Sequence, residues 1–271
     1  MKNINNYVVL SNGLKMPIIG FGTAGISNDD IINVVRNAIN IGYRHIDTAS
    51  RYENETNIGI ALKNCDVKRE DIFITGKLWH TNHGYDNTLK AFNVTINNLK
   101  TDYLDLYLIH YPDPLNEATW KALEYLYMNR YVKAIGLSNF RIDKVKEILD
   151  IAVVRPVVNQ IEFHPECTQN KLREYCKSND IQFEAWSPLI RGRCVNIPLL
   201  QQLALKYNRS VSQIVLRWNI QLGVVTIPKS SDITRLKENL DIFNFELSKC
   251  DMELISQLDQ NKSAWNRSWD G

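Results

Sequence analysis

No apolar run in the 271 residues is long enough to span a bilayer, and the opening seven residues, Met1 to Tyr7, are polar and lack the apolar block of a secretory signal. These two absences predict a soluble, cytoplasmic protein. An excess of one charge is missing as well: 32 Lys and Arg against 30 Asp and Glu leave a net charge of +2, no electrostatic footprint for nucleic acid or an anionic membrane. An anionic ligand must therefore be met by local charge. Cysteine is sparse and odd in number, five residues at Cys65, Cys167, Cys176, Cys194 and Cys250, with no C-x-x-C and no histidine in ligand register. All five are read as reduced and structural, and no metal is expected. Nor does any Pro/Gly/Ser-rich linker, composition shift or short repeat divide the chain, so residues 1–271 are read as one domain.

What the chain does contain is an alternation. Apolar runs at 18–21, 43–47, 72–75, 104–110, 132–136, 157–161, 181–186 and 224–227 read as eight strands. Between them lie segments such as 29–40, 85–99, 118–128 and 143–150, where apolar residues recur at three and four and predict amphipathic helices. Ser27-Asn28-Asp29 and Thr119 supply capping chemistry near two helix starts. Ahead of this pattern, Asn12-Gly13 between apolar residues predicts a small β-hairpin with a primed turn, a plug or lid on the main fold. Eight strand-helix units in roughly 250 residues match a (β/α)₈ barrel, an α/β TIM-barrel architecture.

One stretch argues for a different fold. Gly20-Phe21-Gly22-Thr23-Ala24-Gly25 is a literal G-x-G-x-x-G, and Asp47 follows Gly25 by 22 residues, the distance at which a dinucleotide-binding domain places its ribose carboxylate. In such a domain the helix opens at the last glycine, whereas here the helical period begins only after Ser27. That domain would also use about six strands and leave a second domain to explain. The glycines are therefore read as ending the first barrel strand in a tight turn.

In a barrel the chemistry gathers where strands end. The second predicted strand ends in Asp47 and is followed by Tyr52, the third runs into Lys77, and the fourth ends in His110. An ammonium beside a phenol stabilises the phenolate, and a carboxylate holds that ammonium. A histidine can orient a carbonyl oxygen by hydrogen bonding. Such a set donates a proton to a carbonyl oxygen as hydride reaches its carbon. Singly, each residue has a plainer reading: a core histidine, a packed tyrosine, a structural ion pair.

The stretch Gly42-Tyr43-Arg44-His45-Ile46-Asp47-Thr48-Ala49-Ser50-Arg51-Tyr52-Glu53-Asn54-Glu55 closely resembles the signature of the aldo-keto reductase family. So do Ile74-Thr75-Gly76-Lys77-Leu78-Trp79, Leu106-Tyr107-Leu108-Ile109-His110-Tyr111-Pro112, Gly136-Leu137-Ser138-Asn139-Phe140, Asn159-Gln160 and Ile227-Pro228-Lys229-Ser230. The similarity runs in order along essentially the whole chain, and is to the small bacterial and protist type of member. It implies a (β/α)₈ barrel, NADPH/NADP+ as cofactor, Tyr52 as proton donor, Asp47 and Lys77 as the pair lowering its pKa, and His110 as the carbonyl-orienting residue. Ser138, Asn139 and Gln160 match positions that hold the nicotinamide carboxamide, and Trp186 falls where an aromatic ring stacks on the nicotinamide. By the same resemblance Gly22, Thr23, Ser187 and Leu189 border the cofactor. Lys229, Ser230 and Arg235 suit a 2′-phosphate, and Glu238 and Asn239 the adenine, with Glu238 also placed to restrain Arg235.

Departures from the family pattern fall on the substrate side. The tryptophan that commonly follows Gly-Thr is replaced by Ala24 and Gly25, which opens one wall of the pocket expected from Ala24, Trp79, His110 and Tyr111. Tyr111 itself replaces a frequent tryptophan, and the loop at 112–119 is short. The chain ends early relative to larger members, so their long specificity loop reads as trimmed, with an aromatic tail, Trp265 to Trp269, reaching back over the mouth. The leading expectation is a monomeric, NADPH-dependent reductase of small aldehydes or ketones. Two alternatives remain open: an NADPH-binding barrel acting as a redox sensor or scaffold with little turnover, and a hydrolase or isomerase gripping substrate phosphate through Lys229-Ser230.

Overall fold

Strands without a polar face have no side to offer water, and the eight apolar runs assemble into one parallel sheet whose residues are almost all buried. In the computed structural model, which describes residues 6–265, they are β3 (Phe21–Gly22), β4 (His45–Asp47), β5 (Phe73–Leu78), β6 (Leu106–Ile109), β7 (Ile135–Ser138), β8 (Val158–Glu162), β9 (Gln182–Trp186) and β10 (Val225–Thr226). Each pairs with its sequence neighbour in parallel. The ring closes between first and last: Ile19 bridges Thr226, Thr226 N–H donates to the Ile18 carbonyl at 3.0 Å, and Gly20 N–H returns to the Thr226 carbonyl at 2.8 Å. The fold is the expected (β/α)₈ barrel.

Helices cover the outside. They run from α1 (Ile31–Ile41) through α2 (Glu55–Lys63), α3 (Tyr85–Leu99), α4 (Asn116–Met128), α5 (Ile142–Ile151) and α6 (Asn170–Ser178). After β9 come α7 (Pro198–Tyr207) and α8 (Val211–Gln221), then α9 (Ile233–Leu240) after β10, and last α10 (Lys249–Ser256). None is long and apolar enough to cross a membrane among the described residues. Helix α2 approaches α3 so closely that a Cβ on Gly59 would lie 2.3 Å from the Asn98 carbonyl oxygen, so this position admits only glycine.

The N-terminal hairpin, β1 (Tyr7–Val9) against β2 (Lys15–Pro17), is present, but its turn is not a primed one. Leu10 pairs with Leu14, the Leu10 carbonyl accepts from Gly13 N–H at 2.8 Å, and only Gly13 has positive φ, at 84°. Three residues therefore make the connection, with Asn12 Oδ1 accepting from Leu14 N–H instead of taking a left-handed conformation. Asn12 also donates to the Lys133 carbonyl just before β7, so the hairpin lies at the N-terminal end of the barrel, as a plug on its floor.

Capping departs from expectation too. Ser27 does accept from Asp30 N–H, and returns its hydroxyl proton to the Asp30 carboxylate at 2.6 Å. Thr119, however, sits inside α4 and accepts from Gly84 N–H at the start of α3, tying two helices together. Side-chain caps form instead at Ser210, Asp232 and Ser248. The two first glycines of the G-x-G-x-x-G are packing residues: a Cβ on Gly20 would strike the His45 ring at 2.5 Å, and one on Gly22 the Ile227 carbonyl at 3.0 Å. No disulfide joins the five cysteines among the described residues; Cys167, Cys176 and Cys194 are core residues, whereas Cys250 is exposed on α10.

Candidate active site

The C-terminal ends of the strands open on one cavity of about 940 Å³. Strand pairing explains how the sequence delivers its polar residues there. Asp47 lies opposite Thr75 across β4 and β5, and Lys77, two residues further on, faces the same side of the pleat. Ser138 lies opposite Gln160, and Gln160 opposite Glu184, so three neighbouring strands add a second polar layer.

Lys77 is fully buried beneath the cavity floor. Its Nζ donates to Asp47 Oδ1 at 2.5 Å, to the Thr48 carbonyl at 3.1 Å and to the Tyr52 hydroxyl at 3.3 Å. All three ammonium protons are thus directed, one of them at the phenol. Burial opposes the charge on Lys77, but the adjoining Asp47 carboxylate and Tyr52 outweigh it and hold the lysine protonated well above its ordinary range. For Tyr52 the balance differs from the sequence expectation. Desolvation raises the phenol and Lys77 pulls it down, and the net direction is up, so the hydroxyl carries its proton at neutral pH.

His110 follows β6 and is anchored by its N–H to the Leu78 carbonyl at 3.1 Å. Its ring meets Tyr52 edge-on at 5.8 Å, Trp79 at 5.2 Å, and stacks on Tyr111 at 5.0 Å. One aromatic wall therefore runs from the phenol outward. Across the mouth, the Trp186 indole N–H donates to Asn139 Oδ1 at 3.0 Å, and Asn139 Nδ2 donates to the His110 carbonyl and to Ser138 Oγ. The Trp186 ring is thereby fixed in orientation.

Of the residues singled out from sequence, Gly22, Ala24, Asp47, Tyr52, Trp79, His110, Tyr111, Ser138, Asn139, Gln160, Trp186, Ser187 and Leu189 line the cavity. So do Lys229, Ser230, Arg235, Glu238 and Asn239, on and after the loop that follows β10. Thr23 does not reach it: its hydroxyl and N–H both donate to the Asp47 carbonyl, so it secures the ends of β3 and β4 instead. Glu238 does not restrain Arg235, because its carboxylate accepts the Ser210 hydroxyl. Lys229 and Arg235 are exposed on the rim, and neither takes part in an ion pair among the described residues. Of the aromatic tail, Trp265 lines the cavity and meets Trp186 edge-on at 6.2 Å; Trp269 lies outside the described residues.

Three features escaped the sequence reading. Glu184, fully buried on β9, accepts from Gln160 Nε2 at 2.9 Å while the same nitrogen donates to Asp47 Oδ2 at 2.8 Å. Both amide protons of Gln160 are thus spent, leaving its carbonyl oxygen. A carboxyl buried across the barrel interior from another carboxylate, with one Gln160 nitrogen bonded to both, titrates high, and Glu184 is pushed up by burial first and by Asp47 second. His45, also buried, is held neutral, pushed down to about 3 by burial and by the Lys77 charge. Lastly, Ser210 at the start of α8 borders the cavity within a reciprocal capping box with Gln213, a Ser-x-x-Gln spacing that was legible in the sequence. For Glu184, the two-residue spacing from Trp186 in the run 181–186 was the available signal, since alternate residues of a strand share a face.

The family model described as the Aldo/keto reductase family matches residues 18–260. Glyoxal reductase of Bacillus subtilis (strain 168) is 48% identical over 263 residues, covering 96% of this chain and 95% of its own. Methylglyoxal reductase DkgA of Escherichia coli (strain K12) is 39% identical over 260 residues, covering 94% of each. A crystal structure of a Gox0644 mutant in complex with NADPH superposes with a TM-score of 0.90 at 41% identity, covering 94% of this chain and 93% of that one.

Proposed function

The chain belongs to the aldo/keto reductase family, and we propose that it reduces small aldehydes and ketones to alcohols with NADPH, Tyr52 acting as proton donor. The observation that carries this reading is the placement of the Lys77 ammonium, 2.5 Å from Asp47 and 3.3 Å from the Tyr52 hydroxyl, beneath a cavity walled by Trp79, His110 and Tyr111.

The residues present fit the cofactor. Two cations with no ion-pair partner among the described residues, Lys229 and Arg235, stand on the rim with Ser230 between them in the sequence, a donor set suited to a phosphate dianion. At the other end, the carbonyl oxygen of Gln160 is the group left to accept from a nicotinamide carboxamide, because its nitrogen is committed to Asp47 and Glu184. Trp186, pinned by Asn139, offers an aromatic face to the nicotinamide. NADPH supplies, when bound, the hydride that adds to the carbonyl carbon.

The protein's own part is to hold the carbonyl and deliver a proton. The Tyr52 hydroxyl, protonated at neutral pH, donates to the substrate oxygen as charge develops there. Lys77 stabilises the phenolate left behind, and Asp47 keeps Lys77 in place and charged. His110, beside Tyr52, directs the oxygen toward that proton. Trp79 and Tyr111 exclude water from the same space.

Glyoxal reductase and methylglyoxal reductase among the relatives motivate glyoxal, methylglyoxal and other short aldehydes as the first substrates to assay. The expected result is aldehyde-dependent NADPH oxidation by the purified protein. Tight NADPH binding without turnover on aldehydes, ketones or diketones would favour a sensor or scaffold instead. We also propose that the protein acts as a monomer in the cytoplasm, the first point checked by sizing in solution.

A further inference from the structure

We propose that Arg51 makes this site select carbonyl compounds that carry an anionic group, a carboxylate or a phosphate, at the end remote from the reacting carbonyl. The inference rests on the reductase reading above and extends it to a substrate class.

Arg51 sits in the middle of the 3₁₀ turn Ser50–Tyr52, one residue before the proposed proton donor. Its backbone is held on both sides: Ser50 Oγ donates to the Lys77 carbonyl at 3.2 Å, and Tyr52 N–H donates to the Ala49 carbonyl at 2.9 Å. The guanidinium lies 5.6 Å from the Trp79 ring centroid, within cation–π range, and Trp79 in turn packs on His110 and Tyr111. The positive charge is therefore seated on the wall that borders the reacting end.

That charge is available. Its ion-pair partner among the described residues is Glu53, at 3.5 Å, with both side chains largely in solvent at 56% and 79% exposure. A pair of this kind contributes little and exchanges readily for a better-placed anion. The balance of the cavity points the same way. Asp47, the carboxylate on the floor, is matched by Lys77, whereas Asp232 and Glu238 lie toward the Lys229 and Arg235 side. A second guanidinium, Arg191, lines the cavity over Trp265 at 4.0 Å.

There is room for a remote anion as well. Ala24 and Gly25 line the cavity, and a Cβ placed on Gly25 would meet nothing within 4 Å. A short chain ending in an anion can therefore extend from the carbonyl site toward the rim without displacing an aromatic wall.

The test compares specificity constants for matched pairs: succinic semialdehyde against butanal for a carboxylate, and glyceraldehyde phosphate against glyceraldehyde for a phosphate. Wild-type protein should prefer the charged member of at least one pair, and which pair shows the preference names the anion. Arg51→Gln should lower kcat/KM for that substrate about ten-fold, the size of one charge-assisted contact, mainly through KM, and leave the neutral member within about two-fold. Added salt should narrow the wild-type preference. Equal turnover of charged and neutral members by the wild type, or an equal loss on both in Arg51→Gln, overturns the selection and leaves the reductase reading standing. No turnover of any of the four overturns both.

Discussion

Gln160 and Glu184 face each other across β8 and β9, and Gln160 Nε2 donates to Glu184 Oε2 at 2.9 Å. The same nitrogen reaches Asp47, so the amide that is proposed to meet the nicotinamide is oriented from below by two carboxyl groups. A single ammonium, Lys77, serves this layer, and it is committed to Asp47. Glu184 is the carboxyl that keeps its proton.

This has a measurable consequence for stability. Glu184 titrates near 4.5 when solvated and is pushed up to about 8 by burial and by Asp47 in the folded protein. Between these values the unfolded chain releases a proton that the folded one retains, so stability falls as pH rises through that window. Glu184→Gln keeps an acceptor for Gln160 and removes the titration. Its melting temperature should decline less than that of the wild type between pH 5 and pH 8; parallel declines would show that Glu184 does not hold the proton.

Arg235 bears on cofactor choice. If it contacts the 2′-phosphate, Arg235→Ala should raise KM for NADPH by about 10- to 100-fold, the range of one charge-assisted contact, with little change for NADH. Steady-state kinetics with both cofactors decide it, and an unchanged preference for NADPH would remove Arg235 from the site.

Gly59 offers a test of the fold that does not touch the chemistry. A methyl group there gains helix propensity of up to about 1 kcal/mol. It also meets the Asn98 carbonyl oxygen at 2.3 Å and the Leu99 backbone at 2.7 Å, which cannot yield as a flexible side chain would. Gly59→Ala should therefore destabilise the protein by about 1–3 kcal/mol. Denaturant unfolding measures this; a neutral or stabilising result would mean that α2 and α3 lie further apart.

Much of this architecture was legible in the sequence, for physical reasons that differ by element. The eight strands were visible because burial on both faces makes a parallel barrel strand a continuous apolar run, though their ends were displaced; 132–136 became β7 at Ile135–Ser138. Asp47 and His110 were visible because a polar residue interrupts an apolar run just where it meets the mouth, while Lys77 lies one residue before the end of β5 and Tyr52 in the turn that follows β4. The hairpin turn was misread because Asn12-Gly13 suits a primed turn locally, while pairing of Leu10 with Leu14 sets a longer connection. Thr119 was misread because its partner, Gly84, is distant in sequence. The raised titration of Glu184 and the direction of the Tyr52 shift were hidden for a related reason. Both depend on how much water the closed barrel removes, which no local pattern records.

Whether the Tyr52 hydroxyl delivers the proton is read from single-turnover NADPH oxidation by Tyr52→Phe with a short aldehyde, measured beside its NADPH affinity. The substitution removes one oxygen and leaves the ring against His110. The rate should fall by about 10²–10⁴-fold with NADPH binding close to wild type. Retention of most of the wild-type rate would mean that another group delivers the proton.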